Sequence, residues 1–593
     1  MSKSVKCCLL IISSLIAFQS LGQVNYQSEY LSGKNYFREG NYQMAKNKFV
    51  KVLDSDEQNP FYLYASYFYG ISAYQTGNEK EGMEQFRKVR ITHPQWDKLD
   101  ELNVWYGHML LDQADLFKGL EVLNGIKKTD LKEIASVIKK KHLNRYDSIP
   151  LLQKAIELNP YDSVLAKHLA EVISKKPLVD RPIELLEFLI ESFDLEKAEY
   201  DFFDKNVSQK KKTYNVAVML PFMADNLTTT MGNKANQFVL DLYQGIQQAA
   251  DELNEDGQKI KLFAYDTKRD SVATAKILAS GELLEMDMVI GPLYPAPFKL
   301  MTDYSNKNRI NMVNPLSTSS SIIGTNPYSF LLKSTTETRA KKAADYVKEN
   351  FPNKRATIFY GESSQDSIFA HSYRKYLEAD SFKITWFAQA VTPEESTEIL
   401  KELTTVYEEN SSGELTTKRS VKVRVDKDDE LYLSKDSIGH IMVASSDNLL
   451  ISNVLSAVDT RRDGLPVLGF EDWLDINQIS FEQLERMGVI MIGQNYFDFS
   501  SQKVANFKQK YKNTYNTLPS QFSYDGYETM MVFGRNLIKY GNYFQYGIYE
   551  KGYTNGFLYH GFDYSNANDN QFVPIMKLEN LDLKMLDKED GNK

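Results

Sequence analysis

Cysteine is almost missing from this chain. Of 593 residues only Cys7 and Cys8 are cysteine, and both lie in the first ten positions. Beyond them the chain can form no disulfide and run no thiol chemistry. No later apolar run is long enough to span a bilayer as a helix. Excess basic charge is missing too. Lys and Arg number 70 against 79 Asp and Glu, a formal net charge of −9, which argues against nucleic acid or an anionic membrane as the main partner. HExxH, GxSxG, a Walker loop and GxGxxG are all absent. His93, His108, His142, His168, His371, His440 and His560 are scattered, with no pair at metal-ligand spacing. The expectation is a chain with no catalytic residues, no metal and no cofactor, and therefore not an enzyme.

What is present begins with an export signal. Lys3 and Lys6 precede an apolar stretch from Cys8 to Phe18, too short to cross a membrane. Ser20 and Gly22 put small residues at −3 and −1 of a cleavage site before Gln23, so residues 1–22 read as a signal peptide. Cleavage removes two lysines and no acids, which leaves the mature chain more acidic still. Cys7 and Cys8 lie too early to be the first residue of a mature lipoprotein. The expected location is the periplasm of a Gram-negative cell, with stability drawn from the core alone.

The first half repeats. Gly33, Gly70 and Gly107 are spaced by 37 residues, and so are Ala45, Gly82 and Gly119. Phe49, Phe86 and Leu123 keep the same register, as do Val52, Val89 and Ile126. Small residues 12 apart, with a large apolar residue four beyond the second, describe two amphipathic helices in close contact. This pattern resembles the tetratricopeptide repeat. "LLQKAIELNPYDSVLAKHLAEVI" (Leu151 to Ile173) reads as the end of one further repeat and the start of the next. Residues 24–200 are thus expected to form about four helical pairs, an all-α solenoid whose surface binds a protein partner. The tyrosines of "PFYLYASYFYGISAYQ" (Pro60 to Gln75) serve either that surface or helix packing.

Periodicity stops in "DFFDKNVSQKKKTYN", so residues 201–213 read as a linker. Strands then alternate with helices: "YNVAVMLPF", "KIKLFAYD", "DMVIGP", "NRINMVNP", "ATIFYGE", "FKITWFAQA", "GHIMVAS", "LPVLGFE" and "GVIMIGQ", with helix-like segments between them. That rhythm means βαβ crossovers and parallel sheets covered on both faces. The strands are too many for one comfortable sheet, so two doubly wound lobes are expected.

Residues 214–575 resemble a type I periplasmic binding protein of the leucine-binding class. The resemblance rests on "VAVMLPF", on "YQGIQQAADELNEDGQKIKLFAYDT", on "VIGPL" followed by "INMVNPLST", and on "LPVLGFEDW" and "FKQKYKNTYNTLPSQFSYDGYE", in that order. It implies two α/β lobes closing on a ligand by hinge motion, with 214–335 and 496–558 in one lobe and 336–495 and 559–593 in the other. It also implies a small amino-acid-like ligand in the cleft. Ser317 and Thr318 match the family's Ser/Thr loop, and Glu471 in "GFED" matches the acid that meets a ligand ammonium. The family's small hydroxyl residue after Gly-Pro is replaced by Leu293-Tyr294-Pro295, which puts Tyr294 in the cleft. The Tyr-Gly expected after the first strand of the second lobe is absent.

Helical repeats followed by this fold are also similar to the lipoprotein activators of penicillin-binding proteins, which stimulate peptidoglycan synthases. Two functions therefore stand: a scaffold or regulator that docks an envelope protein, or a solute-binding protein for an amino acid or amide that feeds a transporter or acts as a sensor. Two local features remain. Residues 407–437 read as a polar insertion, with "SVKVRV" and "ELYLS" alternating like a hairpin. Asp-Ser-aliphatic triplets at Asp147, Asp162, Asp270, Asp366 and Asp436 resemble an O-glycosylation acceptor of envelope proteins and equally suit helix N-capping.

Overall fold

The structure is a computed structural model. It describes residues 25–586 apart from 55–58, 177–179, 201–207, 225–235, 256, 258, 410–414, 427–429 and 499–500. The signal segment and the first half of the linker lie outside the described residues. The described residues up to Tyr200, apart from Asp180, form one compact unit, and the remainder form a second.

The first unit is helical. Its helices are α1 (Tyr26–Arg38), α2 (Tyr42–Leu53), α3 (Tyr62–Gln75), α4 (Glu79–Thr92), α5 (Leu99–Asp112), α6 (Leu116–Asn124), α7 (Thr129–Leu143), α8 (Ile149–Leu158), α9 (Ser163–Ser174) and α10 (Ile183–Ser192). The period of 37 is a packing device. A Cβ on Gly33 would lie 2.6 Å from the Phe49 ring, and one on Gly107 would lie 2.6 Å from Leu123; Gly70 faces Phe86 more closely still. Each glycine makes room for the large apolar residue of its partner helix, and Phe49 and Phe86 are fully buried. Five pairs are seen where four are expected. Leu151 to Ile173 does span the end of one pair and the start of the next, but α10 closes a fifth pair without any glycine of the repeat register. Most tyrosines of α3 go to packing. Tyr62 is buried and takes a hydrogen bond from Lys88 at 2.9 Å, Tyr69 donates to Glu81 at 3.1 Å, and Tyr64 is exposed.

The second unit holds two sheets. The first has strand order β2-β1-β3-β4-β5, all parallel, from β1 (Thr213–Leu220), β2 (Lys259–Asp266), β3 (Met288–Ile290), β4 (Asn311–Asn314) and β5 (Ser329–Leu331). The second has order β16-β15-β12-β11-β10-β6-β7. Its parallel part is β6 (Arg355–Tyr360), β7 (Lys383–Gln389), β10 (His440–Ala444), β11 (Val467–Phe470) and β12 (Ile490–Ile492). The C-terminal hairpin β15 (Ile575–Glu579) and β16 (Asp582–Met585) adds antiparallel to β12. The inner strands β3, β4, β10, β11 and β12 are buried along their whole length, as apolar parallel strands require, while the edge strands β2 and β7 are partly exposed.

The chain passes between lobes three times: after β5, after β12, and after the small hairpin β13 (Tyr553–Asn555) with β14 (Gly561–Asp563). Phe562 and Tyr564 lie in the core of the first lobe with the helices from residues 502 to 551. Each of the nine strands read from the alternation of strands and helices is present. The insertion pairs differently, however. The hairpin joins β8 (Thr405–Glu409) to β9 (Leu415–Ser420), not "SVKVRV" to "ELYLS". Val406 is the reason: it is fully buried against Val421, Val425 and Leu431, so both expected segments fold around β8 rather than onto each other. Residues 410–414 and 427–429 of the insertion lie outside the described residues.

The Asp-Ser triplets all begin helices. Asp162 and Asp270 cap α9 and the helix Ser271–Ala279, Ser148 precedes α8, and Asp366 and Asp436 sit in first turns. In the linker, Lys211 pairs with the buried Asp287 at 2.6 Å and fixes the entrance to β1.

Candidate ligand cleft

β3 stops on Gly291-Pro292, joined by a cis bond, because two neighbouring strands crowd that point. Gly291 has φ +92°, and a Cβ there would overlap the Met219 carbonyl on β1. On the other side its N–H donates to the Val313 carbonyl of β4 at 2.8 Å. Only glycine satisfies both conditions. The Pro292 carbonyl accepts from the buried Asn314 side chain at 3.0 Å. Asn314 Oδ1 in turn accepts the N–H groups of Leu316 (3.0 Å) and Ser317 (2.9 Å). Ser317 Oγ accepts from the Ser319 N–H at 3.2 Å, and the Thr318 carbonyl accepts from the Thr336 N–H at 3.1 Å. The Ser317 N–H and the Thr318 carbonyl are therefore spent on the loop's own turn and on the first crossover, while the Ser317 hydroxyl acts as an acceptor and keeps its own proton. Tyr294 stands at the N-cap of the helix Pro295–Asn308. The guanidinium of Arg269 lies 5.0 Å from its ring centre and is itself held by Asn236 at 2.8 Å.

The second lobe presents a different edge. Glu471 begins a turn directly after β11, and its carboxylate accepts the Gln494 N–H at 2.9 Å. Arg339, on the helix Thr336–Asn350, lies over the Phe470 ring at 4.7 Å and donates to the Ile492 carbonyl at 2.9 Å. Burial pushes the Glu471 carboxyl up to about 7, against the pull of the Gln494 N–H and of the Arg339 and Lys333 cations. Burial raises Asp472 and Asp366 as well, and Asp472 accepts the Ser446 hydroxyl.

The crossovers form the floor. Lys333, just after β5, pairs with the fully buried Asp525 at 3.2 Å, and Asp525 also accepts the Tyr559 hydroxyl. Glu528, one turn further on the helix Gln521–Thr529, takes the N–H groups of Phe557 (2.9 Å), Leu558 and Tyr559 (2.8 Å) on a single oxygen. Burial still lifts Glu528 to about 7. Asp569, on the third crossover, accepts from the Thr335 N–H at 2.8 Å and the Thr338 hydroxyl at 2.6 Å, capping the helix that carries Arg339. Gln494 donates to the Ser334 carbonyl at 3.3 Å, which ties the second crossover to the first.

Among the described residues no hydrogen bond or ion pair joins Glu471 to Tyr294, Ser317 or Thr318. Glu471 sits instead in the field of Lys333 and Arg339. The floor thus places two cations, each already partnered within the fold, beside one buried acid. Lys333, Arg339 and Gln494 escape the sequence reading. The only signal for the two cations is a Lys and an Arg six apart in "LLKSTTETRA", behind a strand of three residues that periodicity does not detect.

Residues 227–413 match the model of a family described as periplasmic binding protein. Solved structures of similar fold include an ABC transporter substrate-binding protein from Desulfitobacterium hafniense in complex with Leu. It is 15% identical, covers 63% of this chain and 100% of its own, and has a TM-score of 0.41. A putative branched-chain amino acid ABC transporter from Rhodospirillum rubrum is 14% identical over 63% and 100% of the two chains, with a TM-score of 0.47. Full-length LpoA from Haemophilus influenzae is 11% identical over 96% and 97%, with a TM-score of 0.42. No protein of curated function matches the chain.

Proposed function

We propose that this chain is a non-enzymatic envelope binding protein, exported by cleavage after residue 22. Residues 24–200 are its tetratricopeptide-type docking module, and residues 214–593 are a leucine-binding-type scaffold. The observation that carries this reading is the state of the first-lobe edge. The Ser317 N–H is taken by Asn314 Oδ1, the Ser317 hydroxyl oxygen accepts the Ser319 N–H, the Thr318 carbonyl accepts the Thr336 N–H, and Tyr294 lies against Arg269. The protein partner is an envelope protein, and the resemblance to activators of penicillin-binding proteins supplies the class to test first, a peptidoglycan synthase. No helix among the described residues is long and apolar enough to cross a membrane.

A second reading rests on the other edge. Lys333, Arg339 and Glu471 converge on the crossovers, which suits a small zwitterion and a solute-binding or sensing role. One pair of measurements separates the two. The mature chain is titrated against a purified class A penicillin-binding protein, and its thermal transition is screened against amino acids, short peptides and muropeptides. Saturable protein binding with no ligand shift carries the scaffold reading. A ligand at a hundred times its Kd adds about 2.7 kcal/mol; such a shift, abolished by Glu471→Gln, without protein binding, replaces it with the solute-binding reading.

A further inference from the structure

The helical unit gathers a cluster that sequence spacing hides. His108 and Asp112 lie four residues apart on one face of α5, and α7 brings His142 against them. His108 Nδ1 is 3.3 Å from Asp112 Oδ2, and His142 Nδ1 is 3.7 Å from Asp112 Oδ1. One donor atom from each of the three lies within 4.8 Å of the others. The His142 side chain is 0% exposed, yet neither of its ring nitrogens makes a hydrogen bond, and neither does His108 Nδ1. Buried polar atoms without partners are uncommon and call for an explanation. The two imidazoles meet edge to face, with ring centres 5.0 Å apart.

Two imidazoles around a carboxylate are a donor set that suits a divalent cation. With bonds of about 2.0–2.2 Å, tetrahedral zinc ligands stand roughly 3.3–3.5 Å apart; the two His–Asp separations are 3.3 and 3.7 Å, to different carboxylate oxygens, and a small side-chain adjustment would draw the three donors onto one ion. The surroundings fit as well. The Tyr74 hydroxyl, from α3, donates to Asp112 Oδ2 and orients the carboxylate. The Trp105 ring lies parallel to His108, 3° from coplanar orientation with centres 6.2 Å apart, and fixes that ring. A cavity of about 350 Å³, lined by Tyr67, Trp105, His108 and Ile138 among others, leads to the cluster. Arg145, 53% exposed, lies 3.5 Å from Asp112 Oδ1 and is the cation that a metal would displace from the carboxylate toward solvent.

We propose that His108, Asp112 and His142 bind one divalent transition-metal ion of the zinc type, with water completing the coordination. The site is independent of the α/β cleft and of its occupant. The test uses the untagged mature chain titrated with Co²⁺ and read by visible absorption, followed by displacement with Zn²⁺. Expected are one Co²⁺ per chain and the intense bands of a four- or five-coordinate ion, bleached by Zn²⁺. His142→Gln and Asp112→Asn should each remove the bands, and Tyr74→Phe should weaken binding about tenfold by freeing the carboxylate. Far-UV circular dichroism confirms that each variant is folded. Wild-type protein that yields no bands and retains no metal on equilibrium dialysis overturns the proposal without reference to any variant. So do bands that persist in both folded variants, since they would place the ion elsewhere.

Discussion

The two lobes of the α/β unit are built from the same strand-helix unit, yet their cleft edges are finished in opposite ways. In the first lobe the strand ends close on themselves: Gly291 fills a gap between β1 and β4, Asn314 caps its own turn, and the Ser317 hydroxyl accepts the Ser319 N–H. In the second lobe the strand ends leave Glu471, Asp472 and Asp366 clustered, all raised by burial, with Arg339 behind them. A shared fold thus says where a ligand would sit, and the polar pairing at each edge says whether one is invited.

The comparison can be broken most strongly at Gly291. Gly291→Ala places a Cβ against Met219 at positive φ, and the α/β unit should lose more than about 3 kcal/mol, read as a lowered urea midpoint. Next in size is the floor. Lys333→Met strands the buried Asp525, and the expected loss is about 3 kcal/mol; adding Asp525→Leu should recover most of it, because the cost is the unpaired charge rather than the missing bridge.

The third effect is a pH dependence. Glu471 and Glu528 both titrate near 7 in the folded chain, above their unfolded value near 4.5. Between those values the folded state holds more protons than the unfolded one. The stability these two groups contribute is therefore fully present below about 4.5 and is lost as pH rises through about 7. Glu528→Gln keeps an acceptor for the three N–H groups and should flatten that fall by about 2–3 kcal/mol, measured as urea midpoints across this window. The smallest effects belong to the first-lobe edge. Arg269→Ala should cost about 0.5–1 kcal/mol, the size of an exposed cation–π contact. Ser317→Ala should cost less than about 1 kcal/mol and leave any ligand shift intact; a lost shift would show that this edge does contact ligand after all.

Much of the architecture was legible because it is local. β2 begins and ends with "KIKLFAYD", since an apolar run bounded by Gly and Asp has few other homes. The elements that were missed lack such a run. β5 has three residues, and β15 and β16 join through Asn580 and Leu581, both at positive φ, a tight turn that Asn-Leu does not advertise. The site was far less legible. Ser317 stood out as a hydroxyl after a strand, but whether that hydroxyl is free depends on Ser319 and Asn314 in three dimensions. Lys333 drew no notice, because a lone lysine says nothing until its partner is known.

The sequence alone determined the class of each half. The 37-residue register imposes paired helices, and alternating apolar runs impose parallel sheets, because burial of apolar surface follows the period of the backbone. Tertiary structure alone decided which polar groups meet. Thr335 is capped by Asp569, 234 residues away, and His142 reaches Asp112 only after two helices have packed. Such pairs have no local period. They exist because a buried charge or N–H must find a partner among the groups that packing brings near, and that choice is made by the whole fold.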